Sequence, residues 1–357
     1  MNLWHAVRPL VFNAPVDPET SHDVAIHSLS LMGRSPAAGV FAARYRVEHP
    51  ALRTTVAGIS FDNPVGMGAG FDKNGVALPG LDALGFGFVE VGTVTQHAQP
   101  GQPKPRIFRI ERDRALINRM GFNNRGVDAL MRELASGPKP RGRVGISIGK
   151  SLVTPVEQAV GDYLYSFERA HPRADYIAVN VSSPNTQGLR SLQGREPLVR
   201  LLGDLQRLNR EMSGNAQALK PMFLKVAPDL EEADLGAALE VCEELGLGMI
   251  ATNTTLSRAG LTRDIEQAGG LSGHPLKQRA LAVVRFLRGL SPSLPLIGVG
   301  GIFTGDDAFD FLAAGADLIQ VYTGFVYEGP GIARSINRQL VRRMERLGVK
   351  SVAELRS

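Results

Sequence analysis

Two asparagines and two serines crowd one short stretch, Asn180-Val181-Ser182-Ser183-Pro184-Asn185. The stretch closes an apolar run that begins at Tyr176, so its polar groups sit where a buried strand would open into a loop. In parallel α/β proteins that end of a strand is where chemistry is done. Amides and hydroxyls suit a polar, planar molecule. The cluster holds no His, Asp or Glu, so a base there would have to be a serine hydroxyl. A plain Ser/Asn-rich turn explains the composition equally well. The case therefore rests on whether other strands carry similar tips.

Seven others do. Gly66, Gly68, Ala69 and Gly70 end one apolar run, where small residues let the backbone approach a flat ligand, and Lys73 follows as a cation. Thr93, after Gly92, offers a hydroxyl to a carbonyl or phosphate. The polar loop from Ile117 to Asn124 presents Asn118, Asn123 and Asn124, whose amides donate and accept and so fit imide edges. Ser147 lies near the end of another run, and Thr252, Asn253 and Thr254 end a further one. Lys225 lies inside the apolar Phe223–Val226 segment. A buried lysine needs an anion, and a functional anion is the expected partner, with an internal salt bridge as the alternative. Gly269 to Gly273 reads as a loop. The last two tips, Gly298 to Gly301 and Tyr322-Thr323-Gly324, have the form of a phosphate grip. No Cys/His ligand set, Ser-His-Asp arrangement or acid–base pair stands out. Flavin chemistry needs few protein acids and bases, because the cofactor carries the hard step.

These tips need a scaffold that brings strand ends together. Eight short Val/Ile-rich runs, at 64–70, 86–94, 144–149, 176–182, 221–226, 248–253, 295–300 and 317–322, alternate with helical stretches such as 197–212, 231–245 and 276–287. They are apolar on both faces, as strands of a buried parallel sheet are. The pattern predicts an α/β fold, a (β/α)8 TIM barrel, with a doubly wound sheet as the alternative. Residues 1–45 fall outside the repeat and read as two short amphipathic helices, one around Trp4 and one opening at Asp17-Pro18-Glu19 and stopping at Gly33. This N-terminal helical extension either caps the barrel or forms a separate element that touches a membrane or an apolar ligand. Residues 46–357 form the barrel domain.

Composition narrows the function further. With 43% hydrophobic and 21% charged residues, the 357-residue chain is globular. Its net charge of +5 is spread out, without the basic runs and interleaved aromatics of a nucleic-acid binder. The single cysteine, Cys242, excludes an internal disulfide and a cysteine metal site, and fits a reducing compartment. No apolar run reaches the roughly 18 residues of a membrane span, and the N-terminus lacks a signal-peptide pattern. A cytoplasmic protein is expected.

Taken in order, the segments 69–73, 117–123, 180–185, 251–255, 269–273 and 299–301 resemble dihydroorotate dehydrogenase over nearly the whole chain. The extension and the serine at position 183 resemble the quinone-dependent class (class 2). The class linked to fumarate or NAD has cysteine there and lacks the extension, and NAD use would need an iron–sulfur partner. The resemblance implies that Ser183 removes the C5 proton of dihydroorotate, that hydride passes from C6 to N5 of FMN, and that a membrane quinone takes the electrons. It implies that FMN is held by Ala69, Gly70, Thr93, Ser147, Asn180, Lys225, Thr252, Gly273, Gly301, Tyr322 and Thr323. Many bacterial relatives carry Asn in place of Ser147. Substrate is expected on Lys73, Asn118, Arg119, Met120, Gly121, Phe122, Asn180, Asn185, Asn253 and Thr254, and quinone beside His22 and Arg109. It further implies pyrimidine biosynthesis, a peripheral place on the cytoplasmic face of the cell membrane, no metal, no nucleic acid and no obligate protein partner. A flavin-free lyase or isomerase barrel would leave Ser183 idle, and a scaffold protein would leave Lys225 buried without reason. Residues 188–194, just past the serine, are the candidate for a lid loop.

Overall fold

The structure is a computed structural model, and it describes residues 3–13, 16–186, 188–214 and 219–356. Three helices come first: α1 (Leu3–Asn13), α2 (Pro18–Arg34) and α3 (Ala37–Tyr45). The strands follow as β1 (Thr54–Val56), β2 (Ile59–Phe61), β3 (Val65–Met67), β4 (Phe88–Val94), β5 (Ile107–Ile110), β6 (Ala115–Asn118), β7 (Arg143–Ile148), β8 (Tyr176–Asn180), β9 (Met222–Val226), β10 (Gly248–Ala251), β11 (Gly270–Gly273), β12 (Leu296–Val299) and β13 (Leu318–Val321). Eight of them close into one parallel barrel in the order β10-β12-β13-β3-β4-β7-β8-β9. These are the eight expected runs, and the TIM barrel stands over the doubly wound alternative.

The barrel interior is built in layers, because inward positions recur every second residue. The lower layer is apolar. Phe88, Tyr176 and Phe223 meet edge to face, with ring centroids 6.2 Å and 5.2 Å apart. The β1–β2 hairpin plugs this end with Val56 and Phe61. Glycines make room for the rings: a Cβ on Gly66, Gly145 or Gly248 would collide with Phe88, Tyr176 or Phe223 respectively. Glu90 and Lys225, two residues further along β4 and β9, and Gln320, two residues after Leu318 on β13, form a second, polar layer, also buried. The site lies above it, at the C-terminal ends of the strands.

Two expectations need correction. The extension has three helices, not two, and α2 runs through Gly33 to Arg34. Gly33 serves a close helix crossing rather than a stop. With α4 at Leu78–Ala83, a Cβ on Gly33 would collide with the backbone of Gly80, and one on Gly80 with the carbonyl of Leu29. The segment 269–273 is not a loop either. Its strand β11 pairs antiparallel with β6, which pairs with β5, so a small three-stranded sheet stands beside the barrel mouth.

A buried ion pair fastens the extension to the barrel. Asp17 caps α2 by accepting from the N–H groups of Glu19 and Thr20. Glu19 then accepts from Arg106 Nε at 3.0 Å and from its Nη2 at 2.7 Å, and both side chains are buried. Burial alone would raise the Glu19 pKa, but the Arg106 guanidinium, helped by Lys104, holds it below the usual carboxylate range. Its contribution to stability is therefore present above that range and is lost as pH falls through the lowered pKa. Glu19→Gln should cost about 3 kcal/mol in urea unfolding, because Arg106 stays buried without its anion. An unchanged midpoint would show that the pair does not hold α2 in place.

Candidate active site

Strand tips and the loops after them enclose a cavity with about 1030 Å³ of empty space, its open mouth included. Nearly all the predicted site residues line it. Ala69, Gly70, Thr93, Asn180, Lys225, Thr252, Gly273, Gly301, Tyr322 and Thr323 are there, with Ser183. So are Lys73, Asn118, Met120, Gly121, Phe122, Asn185, Asn253 and Thr254.

Two of the residues expected to hold flavin or substrate do not reach it. Ser147 is inward-facing but pairs in register with Ala178, one layer below Asn180, and its short side chain bonds only to the Thr93 hydroxyl at 2.8 Å. Arg119 follows Asn118 and turns outward. Its guanidinium donates to the carbonyl of Pro105 and to Gln267, and lies 4.7 Å over the Phe108 ring.

Hydrogen bonds fix the polar tips before any ligand arrives. Asn180 Nδ2 donates to Thr93 Oγ1 at 2.9 Å, while its Oδ1 accepts from Ser182 Oγ at 3.0 Å. Asn253 Nδ2 donates to Ser182 Oγ at 2.9 Å, tying the end of β10 to the end of β8. Asn185 Nδ2 donates to the carbonyl of Asn118 at 3.1 Å. Ser183 Oγ accepts the Asn185 N–H at 3.3 Å and is buried. The candidate lid segment contains a short 3-10 helix, Leu189–Gln193, and Arg190 moors it by donating to the carbonyls of Ser182 and Thr254 and to Asp229. Among the described residues no carboxylate or imidazole lines this cavity.

Two cations do. Lys73 Nζ donates to the carbonyl of Gly70 at 2.7 Å. Burial pushes its pKa down to about 8, with Glu19 opposing the shift and Arg106 adding to it. Lys225, expected to await a functional anion, already has a protein partner in Glu90, 3.5 Å away. The internal salt bridge is therefore the correct alternative. Glu90 went unnoticed in the sequence, although it is the lone acid in an apolar run and stands two residues after Phe88, on the same strand face. Gln320, which does line the cavity, was missed as well, although it is readable by the same period from Leu318.

At the far end Gly273, Gly300 and Gly301 bring backbone to the wall. Gly301 has φ +67°, and a Cβ there would crowd the carbonyl of Gly273 at 2.9 Å, so only glycine leaves this cradle open. The hydroxyls of Ser272 and Thr323 meet at 2.8 Å beside it. Glycine backbone and paired hydroxyls fit a phosphate.

A second cavity lies beneath the extension, with about 1560 Å³ of empty space and walls that include Phe12, Ala25, Leu29, Met32, Phe71 and Phe325. Both predicted polar residues, His22 and Arg109, are in its wall. Burial, with Lys73 nearby, pushes the His22 pKa down to about 3, so the ring is neutral at physiological pH. It stands edge-on to Phe71 at 5.0 Å. The Arg109 guanidinium lies 4.6 Å over Phe12. Asn118 and Tyr322 line both cavities.

A closed parallel barrel whose strand tips enclose a glycine–hydroxyl cradle and amide and hydroxyl walls has the form of a TIM-barrel enzyme that works with a bound phosphate-bearing cofactor. Comparison with known proteins makes the assignment particular. The chain belongs to the dihydroorotate dehydrogenase family, whose family model matches residues 51–344. It is 48% identical to a Gloeobacter violaceus protein named dihydroorotate dehydrogenase (quinone), covering 99% of this chain and 98% of that one. It is 51% identical to the Chloroflexus aurantiacus protein of the same name, covering 94% and 95%. The solved Eimeria tenella DHODH in complex with ferulenol superposes with a TM-score of 0.88 at 34% identity, covering 98% of this chain and 97% of that one. The family is flavin-dependent.

The two layers of polar contact make a testable difference. Ser147→Ala removes one hydrogen bond behind the wall and should change flavin affinity by no more than about threefold, while Asn180→Ala should weaken it by at least about tenfold. Equal losses in a fluorescence titration would place Ser147 against the flavin after all.

Proposed function

We propose that this chain oxidises dihydroorotate to orotate, with FMN as hydride acceptor and a quinone as final electron acceptor, in pyrimidine biosynthesis. The observation that carries this reading is one cavity holding Ser183, Lys73 and the glycine–hydroxyl cradle together, with an apolar cavity sharing its wall. When bound, FMN supplies the two-electron chemistry for which the side chains have no group. Its phosphate belongs in the cradle at Gly273, Gly301 and Thr323, and its ring among Ala69, Gly70, Thr93, Asn180, Lys225 and Thr252.

Lys73 offers its charge to the substrate carboxylate, and Asn118, Asn185, Asn253 and Thr254 offer donors and acceptors to the ring amides. Ser183 takes the proton from substrate carbon. A serine hydroxyl is a weak base and needs help from its surroundings. The Asn185 N–H bond to Oγ favours the deprotonated oxygen. The buried Thr186 hydroxyl, on the same loop and unpartnered among the described residues, is available to carry the proton onward.

Quinone enters through the apolar cavity, beside His22 and Arg109. Residues 1–45 then act as a peripheral membrane contact on the cytoplasmic face. Leu10, Val24, Leu31 and Val40 of α1–α3 are exposed, and no described helix is long and apolar enough to cross a membrane. No nucleic acid, metal or obligate protein partner is required.

Anaerobic protein should show flavin bands that bleach with dihydroorotate and return with a short-chain quinone. Bands that bleach but do not return would move the acceptor to fumarate or NAD. Ser183→Ala should bleach at least a hundredfold more slowly near neutral pH with flavin retained, and a wild-type rate would remove Ser183 from its role. Lys73 gives a pH signature. Below about pH 8 it is charged, so orotate affinity should be flat there and fall by up to about tenfold per pH unit above. Lys73→Met should bind weakly with no such slope, and a slope that survives the substitution would point to another group.

A further inference from the structure

The polar layer beneath the cavity has one member that the reaction described above does not use. Glu90 is fully buried. Its Oε2 accepts from Gln320 Nε2 at 2.7 Å and from the Tyr176 hydroxyl at 3.0 Å, and Lys225 Nζ stands 3.5 Å from its Oε1. A buried carboxylate persists only when paired and hydrogen-bonded. Here an ammonium, an amide and a phenol meet that need. Lys225 and Gln320 also line the cavity, whereas Glu90 and Tyr176 do not. Glu90 therefore grips two side chains that face the ligand while lying behind the lining itself.

The consequence for Gln320 follows from its donor count. Its Nε2 donates to Glu90 and, at 3.3 Å, to the Tyr176 oxygen, so both amide hydrogens are used. Its Oε1 is buried and has no hydrogen-bond partner among the described residues. That oxygen lies against Gly68, where an added Cβ would stand 3.4 Å from it. A buried acceptor on a cavity wall calls for a donor from the ligand. Lys225, held by the other oxygen of the same carboxylate, supplies a donor. One carboxylate thus fixes an acceptor and a donor, the complement of an imide edge with its N–H and carbonyl.

We propose that Glu90 is a positioning residue that acts through Lys225 and Gln320, orienting the pyrimidine edge of the bound flavin and setting its reduction potential. The proposal rests on the flavin reading above. Reduction of a flavin adds electron density to its pyrimidine half. A cation beside it favours the reduced form, and a carboxylate behind that cation offsets part of the effect. Removing the carboxylate charge raises the potential and frees the Gln320 amide to turn over.

The test is the flavin midpoint potential of holoprotein, measured against reference dyes, together with flavin affinity by fluorescence. Glu90→Gln should raise the reduced-to-oxidised ratio at fixed poise at least tenfold, about 30 mV for a two-electron couple. Flavin binding should weaken at least tenfold. An unmoved or lowered potential in a folded variant would leave Glu90 as a structural ion-pair partner and overturn the proposal. If Glu90→Gln does not fold, Gln320→Leu decides, since it removes the acceptor and leaves the ion pair in place. Flavin affinity should then fall at least tenfold, and unchanged affinity overturns the proposal. Wild-type protein that binds no flavin, even on reconstitution, overturns the flavin reading itself before any variant is made.

Discussion

An eight-stranded barrel has room for only a few side chains in each interior layer, and that limit orders everything above it. Three large rings fill the lower layer, and they fit because Gly66, Gly145 and Gly248 on neighbouring strands give up their side chains. The next inward positions fall two residues later, on the strands of Phe88, Phe223 and Leu318. There the chain places Glu90, Lys225 and Gln320 in a layer too narrow for water to neutralise them. They satisfy one another instead, and the cavity floor is what remains of their hydrogen-bonding capacity.

Much of this was legible in the sequence, for identifiable reasons. Strands of a closed parallel barrel are buried on both faces, so each reads as a continuous apolar run with a glycine or polar tip, and all eight lay where expected. The small sheet was not legible. Residues 270–273 pair with 115–118, about 150 residues away, and nothing in Gly-Leu-Ser-Gly advertises a partner at that distance. Gly33 misled for a related reason. Glycine ends helices when it supplies a left-handed backbone, but here it supplies closeness to α4. Position in a loop likewise said nothing of direction for Arg119, which alternates outward between two residues that face the cavity. The missed Glu90 is a different failure: the period that assigned Phe88 inward assigns Glu90 inward too, and an anion for Lys225 was sought in a ligand when it lay in the fold.

The extension is tied to the site by electrostatics as well as packing. Glu19 of α2 and Arg106 of the barrel form a buried pair, and both act on Lys73: Glu19 favours its charged form, Arg106 and burial oppose it. Lys73 in turn helps keep His22 of α2 uncharged. The helices outside the β/α repeat therefore share in setting the protonation of groups on either side of the cavity wall. Gly33 and Gly80 let α2, which carries Glu19 and His22, pack closely on α4.

The wall itself explains why two cavities are better than one. On one side stand amides, hydroxyls and two lysines, and on the other a mainly apolar lining closed by a neutral histidine. A carboxylate-bearing substrate finds far fewer polar partners in the second space, and an apolar acceptor would leave the first one's polar groups unpaired, at a cost of about 1–3 kcal/mol for each. Under the proposed function, the two half-reactions are thus served by separate cavities. What lies between is thin. Phe71 sits 5.0 Å from His22 and 6.1 Å from Tyr322, and Tyr322 with Asn118 belongs to both linings. Under the proposed function, the partition between the reactants is about one aromatic side chain thick, so electrons have only a short way to travel.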